Sequence, residues 1–222
     1  VGLTALAQPA QSEVVVTKKT IPINVFTPAL LDFNNDGVAD FKFSSYGMNY
    51  DHSVNNSFRA TPLVSGAVVG AAGGTRGGLY ASALMRGASV GPSAHFVGAK
   101  NQKVILERFY GFESASDTSK LYGKWGNVGP DRFVGLKFKI DGQTHFGWVR
   151  ITLDIVRING LKGATITAYA YETIPDKKIV VGSTTESATA SADASSRASL
   201  GMLAAGADGQ AIWKSEPEEQ RK

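Results

Sequence analysis

From Arg132 to Ile140 the chain alternates, so that Val134, Leu136, Phe138 and Ile140 fall on one face of an extended segment. Asp141-Gly142 follows, the composition of a two-residue turn with positive φ at both central positions. A hairpin is predicted, and its register follows by counting outward from the turn. On the core face Ile140 pairs with Gln143, Phe138 with His145, Leu136 with Gly147, Val134 with Val149 and Arg132 with Ile151. On the other face Lys137 pairs with Phe146, Gly135 with Trp148 and Phe133 with Arg150. Phe133, Phe146 and Trp148 make that second face too apolar to stand in water. It calls for a cover, either another sheet or loop of the chain or a neighbouring subunit, with Trp148 lying over the Gly135 backbone.

Ala164 to Glu172 alternates as well, placing Thr165, Thr167, Tyr169 and Tyr171 opposite Ile166, Ala168 and Ala170. Val14 to Thr17 and Ile21 to Phe26 are β-branched runs separated by a Lys18-Lys19-Thr20 turn and read as edge strands. Ala29 to Phe33, Ala39 to Ser44, Lys103 to Tyr110 and Ile179 to Val181 are further strand candidates. Asn49 to Pro92 is rich in Gly, Ala, Ser and Asn and predicts loop, with one short strand within Leu79 to Leu84; Ser114 to Lys120 predicts a polar loop. No long amphipathic helix is visible before Gly182. The fold class that follows is all-β, a β-sandwich of jelly-roll-like type over 14–181. An extended N-terminal arm (1–13) precedes it, and a Ser/Thr/Ala linker (182–199) and a C-terminal tail (200–222) follow.

Composition narrows the chemistry. With 43% hydrophobic residues in 222, the chain can bury a sizeable core and is not a disordered one. Lysine and arginine number 23 against 19 acidic residues, and the resulting +4 is spread too thinly for a nucleic-acid footprint. The absence of cysteine removes disulfides and thiolate sites together. The tail's apolar stretch, Leu200 to Trp213, contains Asp208 and Gln210 and falls short of the roughly 20 apolar residues a membrane helix needs, so no stable transmembrane span is expected.

The most specific local pattern is Asp32-Phe33-Asn34-Asn35-Asp36-Gly37-Val38-Ala39-Asp40. Oxygen-bearing side chains at Asp32, Asn34, Asp36 and Asp40, with the Val38 carbonyl and a sharp turn at Gly37, form the shell that a hard cation such as Ca2+ selects. Position twelve is Phe43, so the bidentate glutamate of an EF-hand is missing, and the flanks read as strands. An Asx-rich turn without metal uses the same residues and is the alternative.

Catalytic constellations are absent from the pattern. His52, His95 and His145 form no ligand pair, and His145 falls opposite Phe138, where a structural histidine is expected. No Gly-x-Ser-x-Gly elbow occurs, Gly73 to Gly78 lacks the Gly-Lys-Ser/Thr of a phosphate loop, and the carboxylates Glu107 and Asp154 cannot be placed relative to each other. A non-enzymatic role is expected.

Val1 to Gln11, with Ala5-Leu6-Ala7, resembles the end of a secretory signal and predicts export. Taken with the Asp32–Asp40 loop, Ala81-Ser82-Ala83-Leu84 with Gly91-Pro92, Phe133 to Phe138, Thr144 to Arg150, Ala168 to Glu172 and Leu200 to Ala207, the chain resembles a family of uncharacterised secreted bacterial β-rich surface proteins. Their tails are like those of exosortase-sorted proteins. The resemblance implies an extracellular, cell-surface or matrix location and carries no catalytic residues. Two terminal segments apolar enough to dock, attached to a sandwich with open edges, predict self-association into a homopolymer by exchange of terminal strands, stabilised by calcium, the competing arrangement being that both segments fold back on their own sandwich. The alternative is a calcium-dependent carbohydrate-binding or adhesion module for a surface glycan, with Tyr46, Tyr50 and Phe58 as exposed aromatics beside the metal.

Overall fold

The computed structural model describes residues 14–50, 53–73, 77–112, 115–126, 129, 131–156 and 160–183. The chain divides into two units, Val1–Glu186 and Ser187–Lys222. The N-terminal arm, the tail and all but the first two residues of the linker lie outside the described residues.

The described chain is all β. In order the strands are β1 (Val14–Ile23), β2 (Ala29–Leu31), β3 (Phe41–Tyr50), β4 (Ser53–Pro62), β5 (Gly66–Ala72), β6 (Leu79–Ala81) and β7 (Ser89–Val90). Then come β8 (Phe96–Val97), β9 (Val104–Phe112), β10 (Ala115–Gly123), β11 (Arg132–Ile140), β12 (Gln143–Val156), β13 (Gly160–Glu172) and β14 (Ile179–Val180). One large mixed sheet runs β1-β13-β12-β11-β5-β6-β9-β4-β3-β2, with β10 added beside β9 and β8 beside β5; β14 and β7 form a small separate pair. All neighbours are antiparallel except β6 and β9. The two ends approach each other, since β1 touches β2 and β3, so the sheet is nearly closed into a barrel. That is a sandwich or barrel architecture, and the strand order is not specifically a jelly roll.

The hairpin of β11 and β12 has the expected register at every pair from Arg132–Ile151 to Ile140–Gln143. Asp141 and Gly142 have φ of 50° and 79°, the left-handed values that a primed turn requires. Elsewhere the chain departs from its alternation. Val14 to Ile23 is one strand, not two, and the Lys18-Lys19-Thr20 segment is a bulge within it. In β13, Thr167 is an extra residue: Arg150 pairs with Ala168, but Ile151 pairs with Ile166. Ile166 is thereby moved to the same core as Tyr169 and Tyr171, while Ala168 and Ala170 face the other way.

The expectation of loop over Asn49 to Pro92 is corrected, because β4, β5 and β7 lie there in addition to the short strand expected within Leu79 to Leu84, which is β6. Small residues occur in these strands where other groups come too close for a side chain. A Cβ on Gly70 would stand 2.1 Å from the Tyr80 carbonyl, and one on Gly66 would stand 2.9 Å from that of Lys137. Gly70 lies where β5 leaves β11 and turns to pair with β6, which joins the two faces of the barrel. Ser114 to Lys120 is likewise largely β10.

The main core lies inside the barrel. Phe33 is its centre, with ring centroids 4.7 Å from Phe138, 5.2 Å from Tyr169, 6.1 Å from Phe41 and 6.4 Å from Tyr171. A second core covers the outer face of the hairpin, where Phe133, Phe146 and Trp148 pack with Val90, Ile179 and Val181 under the β7–β14 pair. The cover predicted for that face is therefore intramolecular. Val69, Leu84 and Val90, not Trp148, stand nearest to the space above Gly135. Arg86 fastens the cover, donating to the Gly182 carbonyl at 2.6 Å with its guanidinium over the Phe133 ring.

Phe138→Ala removes a ring that packs on Phe33, Phe41 and Tyr171. It is expected to cost about 3–5 kcal/mol, or roughly 6 to 20 °C of melting temperature. Phe26→Ala, at a residue that is 94% exposed, should stay within about 0.5 kcal/mol of wild type. Calorimetry of the two variants checks the contrast.

Candidate cation-binding loop

The loop between β2 and β3 is held at both ends. Asp40 N donates to the Leu31 carbonyl at 2.8 Å, and Leu63 N donates to the Asp40 carbonyl at 2.8 Å. Phe33, one residue into the loop, is 1% exposed and anchors it in the aromatic core. Asn35 and Gly37 take φ of 58° and 87°, which folds the polar residues back on themselves. Asn35 to Val38 is thereby left exposed at the tip.

Each of the three carboxylates accepts a backbone N–H: Asp32 from Gly37 at 2.8 Å, Asp36 from Val38 at 2.7 Å and Asp40 from Phe33 at 2.9 Å. The Asn34 amide also donates to Asp36 at 2.9 Å. Together with the Val38 bond, this holds the Asp36 carboxyl below its ordinary value. Asp40 is pushed up to about 6, first by burial and further by the charges of Asp32 and Asp36, against the Phe33 bond that works the other way. These bonds are those of an Asx-rich turn. Among the described residues no three His, Asp or Glu side chains stand close enough together to hold a metal ion.

Two atoms in the loop fit a cation nonetheless. Asp32 Oδ1 and Asn34 Oδ1 are buried and have no hydrogen-bond partner among the described residues. Both are hard oxygen donors in a cluster of like charge, and a buried oxygen without a partner costs about 1–3 kcal/mol. The structure thus brings Asp32, Asn34, Asp36 and Asp40 into one loop, with Val38 at its exposed edge.

The aromatics expected beside this loop are arranged differently. Phe58 is fully buried in the main core and offers no exposed ring, because β4 turns its even-numbered residues inward there. Tyr46 carries the Arg59 guanidinium 4.2 Å from its ring centre. The Tyr50 side chain lies outside the described residues.

His145 Nδ1 donates to the Glu172 carbonyl at 2.9 Å, and the ring packs near Phe138 and Tyr171 as a core residue. His95 Nδ1 lies 2.5 Å from the Gly70 carbonyl at the β5 corner, and His52 is outside the described residues. Asp154 is exposed on β12, whereas Glu107 on β9 is 1% exposed.

Glu107 has a structural task that sequence reasoning missed. Its Oε2 accepts from the backbone N–H of both Trp125 and Gly126 at 2.8 Å, tying the segment after β10 to the barrel. Trp125 is buried in the main core beneath it, with Nε1 3.3 Å from the Ala81 carbonyl. Gly123 adopts φ of 147° and passes so close that a Cβ would stand 2.6 Å from Glu107 Oε2. The only signal in the sequence is an acid, followed by Arg108, inside the largely apolar run Val104 to Tyr110, and it does not reveal its partner.

No family model matches the chain, and neither a curated protein nor a solved structure matches it. Among the described residues no helix is long and apolar enough to cross a membrane.

Burial raises the Glu107 carboxyl above its ordinary 4.5, against three backbone hydrogen bonds that favour the charged form. The folded chain therefore holds this proton to higher pH than the unfolded chain. The stability it contributes is complete below about 4.5 and is lost as pH rises through the folded value. Glu107→Gln, whose amide oxygen still accepts the two bonds, should flatten this decline. Urea unfolding from pH 4 to 8 would show it, and an unchanged slope in the variant would exclude Glu107 as the cause.

Proposed function

We propose that this chain is a non-catalytic structural protein of the cell surface or extracellular matrix, a calcium-stabilised β scaffold that assembles through its terminal segments. The observation that carries the calcium part is the pair of buried, unpartnered oxygens, Asp32 Oδ1 and Asn34 Oδ1, in a loop anchored by Phe33. A calcium ion held by Asp32, Asn34, Asp36, the Val38 carbonyl and Asp40 would satisfy both oxygens and neutralise the cluster. Its role is to staple β2 to β3 in a chain with no cysteine. Extracellular calcium sites have dissociation constants of about 0.1–1 mM, so at about 1 mM calcium the staple contributes up to about 1.4 kcal/mol.

The assembly part rests on the composition of the chain. Val1 to Ser12 and Leu200 to Trp213 are apolar and rich in small residues, which suits strand addition, where main-chain bonds supply the affinity and bland side chains suffice. The host edge would belong to another copy. The β1 edge is poorly suited, since Lys18, Lys19, Pro22 and its bulge blunt it against pairing. A contact repeated head to tail without closing gives a filament. The secreted surface family that the chain resembles agrees with this reading.

Asp36→Ala is expected to lower the melting temperature in calcium by about 3–6 °C and to abolish the difference between calcium and chelator. Wild type melting identically in the two conditions would remove calcium from the reading. Separately, deleting Val1 to Ser12, or Leu200 to Lys222, should leave a folded monomer that no longer assembles. Sedimentation and electron microscopy of the full chain and both truncations decide this, and a full-length chain that stays monomeric at high concentration ends the filament proposal.

A further inference from the structure

The outer face of β3, β4, β9 and β10 carries a row of side chains that the scaffold reading does not use. Strand pairing places Tyr46 opposite Ser57, Ser57 opposite Arg108 and Arg108 opposite Tyr122, so the four stand side by side across four strands. In the adjoining row Arg59 pairs with Ile105 and Ile105 with Tyr80. Phe58 and Ala60 point into the core, which fixes Arg59 and Ser57 on the outside of the barrel.

The two arginines are neighbours of like charge. Arg59 is held by its bond from Nε to Ser57 Oγ at 2.8 Å and by the Tyr46 ring beneath its guanidinium. Burial, and then the charge of Arg108, hold it below its ordinary value. Among the described residues this face carries no carboxylate, and Arg108 Nε is buried without a hydrogen-bond partner. Two cations brought together on a fixed support make a site for an anion.

A groove of about 440 Å³ is lined by Tyr80, Tyr122, Ala71, Ala72 and Lys124, and it adjoins the arginine rows because Tyr122 pairs with Arg108 and Tyr80 with Ile105. The Tyr80 hydroxyl is buried there and has no hydrogen-bond partner among the described residues. Aromatic walls with small residues between them admit a flat-sided ring, while a fixed cation pair at the side selects a charge on that ring.

We infer that this face binds an acidic polysaccharide, its carboxylate or sulfate group held by Arg59 and Arg108 and its sugar rings lying between Tyr80 and Tyr122. A nucleic acid fits less well. It needs cations spaced along several phosphates, whereas this chain carries a formal charge of only +4, and Arg59 and Arg108 form a single close pair on this face. The short polar groups beside the pair, Ser44 and Asn55, are half-buried and suit sugar hydroxyls. This binding is independent of the calcium loop and goes beyond a scaffold role.

The test is binding of the full-length protein, in chelator, to immobilised dextran sulfate, hyaluronate, neutral dextran and oligo-dT. Binding to dextran sulfate, hyaluronate or both is expected, weakening as salt rises from about 50 to about 500 mM; the two polymers distinguish a sulfate from a uronate ligand. Arg59→Gln with Arg108→Gln should weaken it at least about tenfold, and Lys139→Gln, at an exposed position near the end of β11, should leave it unchanged. If the double variant does not fold by circular dichroism, Tyr122→Ala decides, with a loss of at least about threefold expected from the stacking contribution. Failure of both anionic polymers at low salt overturns the proposal. So does equal binding to neutral dextran, equal or tighter binding to oligo-dT, or affinity within twofold of wild type in the deciding variant. Because chelator is present throughout, failure of the calcium reading leaves this result untouched.

Discussion

The packing of Phe33 against Phe138, Tyr169, Phe41 and Tyr171 is the contact on which the rest of the molecule depends. One ring from a loop meets residues from β3, β11 and β13, and so joins segments distant in sequence. Burying a side chain of this size contributes on the order of 2–3 kcal/mol through area alone, before the edge-to-face geometry of its neighbours is counted. The same residue stands between Asp32 and Asn34, so the position of the polar loop is set by the core and not by the loop's own bonds. A loop held in this way keeps two oxygens out of water, where an unanchored turn would turn them outward to be hydrated.

The parts of the fold legible in the sequence are those where one physical rule acts alone. The β11–β12 hairpin follows from a period of two and a turn that demands positive φ, and no tertiary contact competes with either. The strands between Asn49 and Pro92 were hidden because Gly66 and Gly70 are dictated by carbonyls of other strands, and in sequence such glycines look like turn residues. The alternation of β13 was misread for a different reason. A bulge at Thr167 inserts one residue, which reverses the faces on either side, and nothing local distinguishes Thr167 from its neighbours. The loop spacing Asp32, Asn34, Asp36, Asp40 was visible, yet Phe58 beside it was assigned to the surface because the strand that carries it went unrecognised. The arginine pair was invisible for the same reason, since Arg59 and Arg108 lie 49 positions apart and meet only through strand pairing.

The hairpin contributes to two cores at once. Val134, Leu136 and Phe138 face the barrel interior, while Phe133, Phe146 and Trp148 face the β7–β14 cover. A strand pair buried on both faces has little tolerance for change on either, and Gly135 shows it, since a single added carbon would stand 2.7–2.8 Å from three side chains at once. The opposite wall of the barrel differs, with β3, β4 and β9 apolar inside and largely polar outside. Rigidity is thus concentrated on one side, and the side left in contact with solvent is the one that presents arginine and tyrosine.

Strand β5 is shared between the two walls, its first residues bonded to β11 and its last to β6, and β6 in turn lies parallel to β9. Only β6 follows it directly in the chain, so many of its bonds form only after long stretches of chain have been brought together. Each such closure loses entropy before any contact repays it, and this topology places the molecule among the slow folders with a high mean separation of contacting residues. During synthesis, β5 emerges well before β11 has been made. Until then the edge of its Ala67-Val68-Val69 stretch that β11 will cover stays open and apolar, even where β8 pairs with the other edge, and it is a segment of the nascent chain in need of protection from other copies of itself.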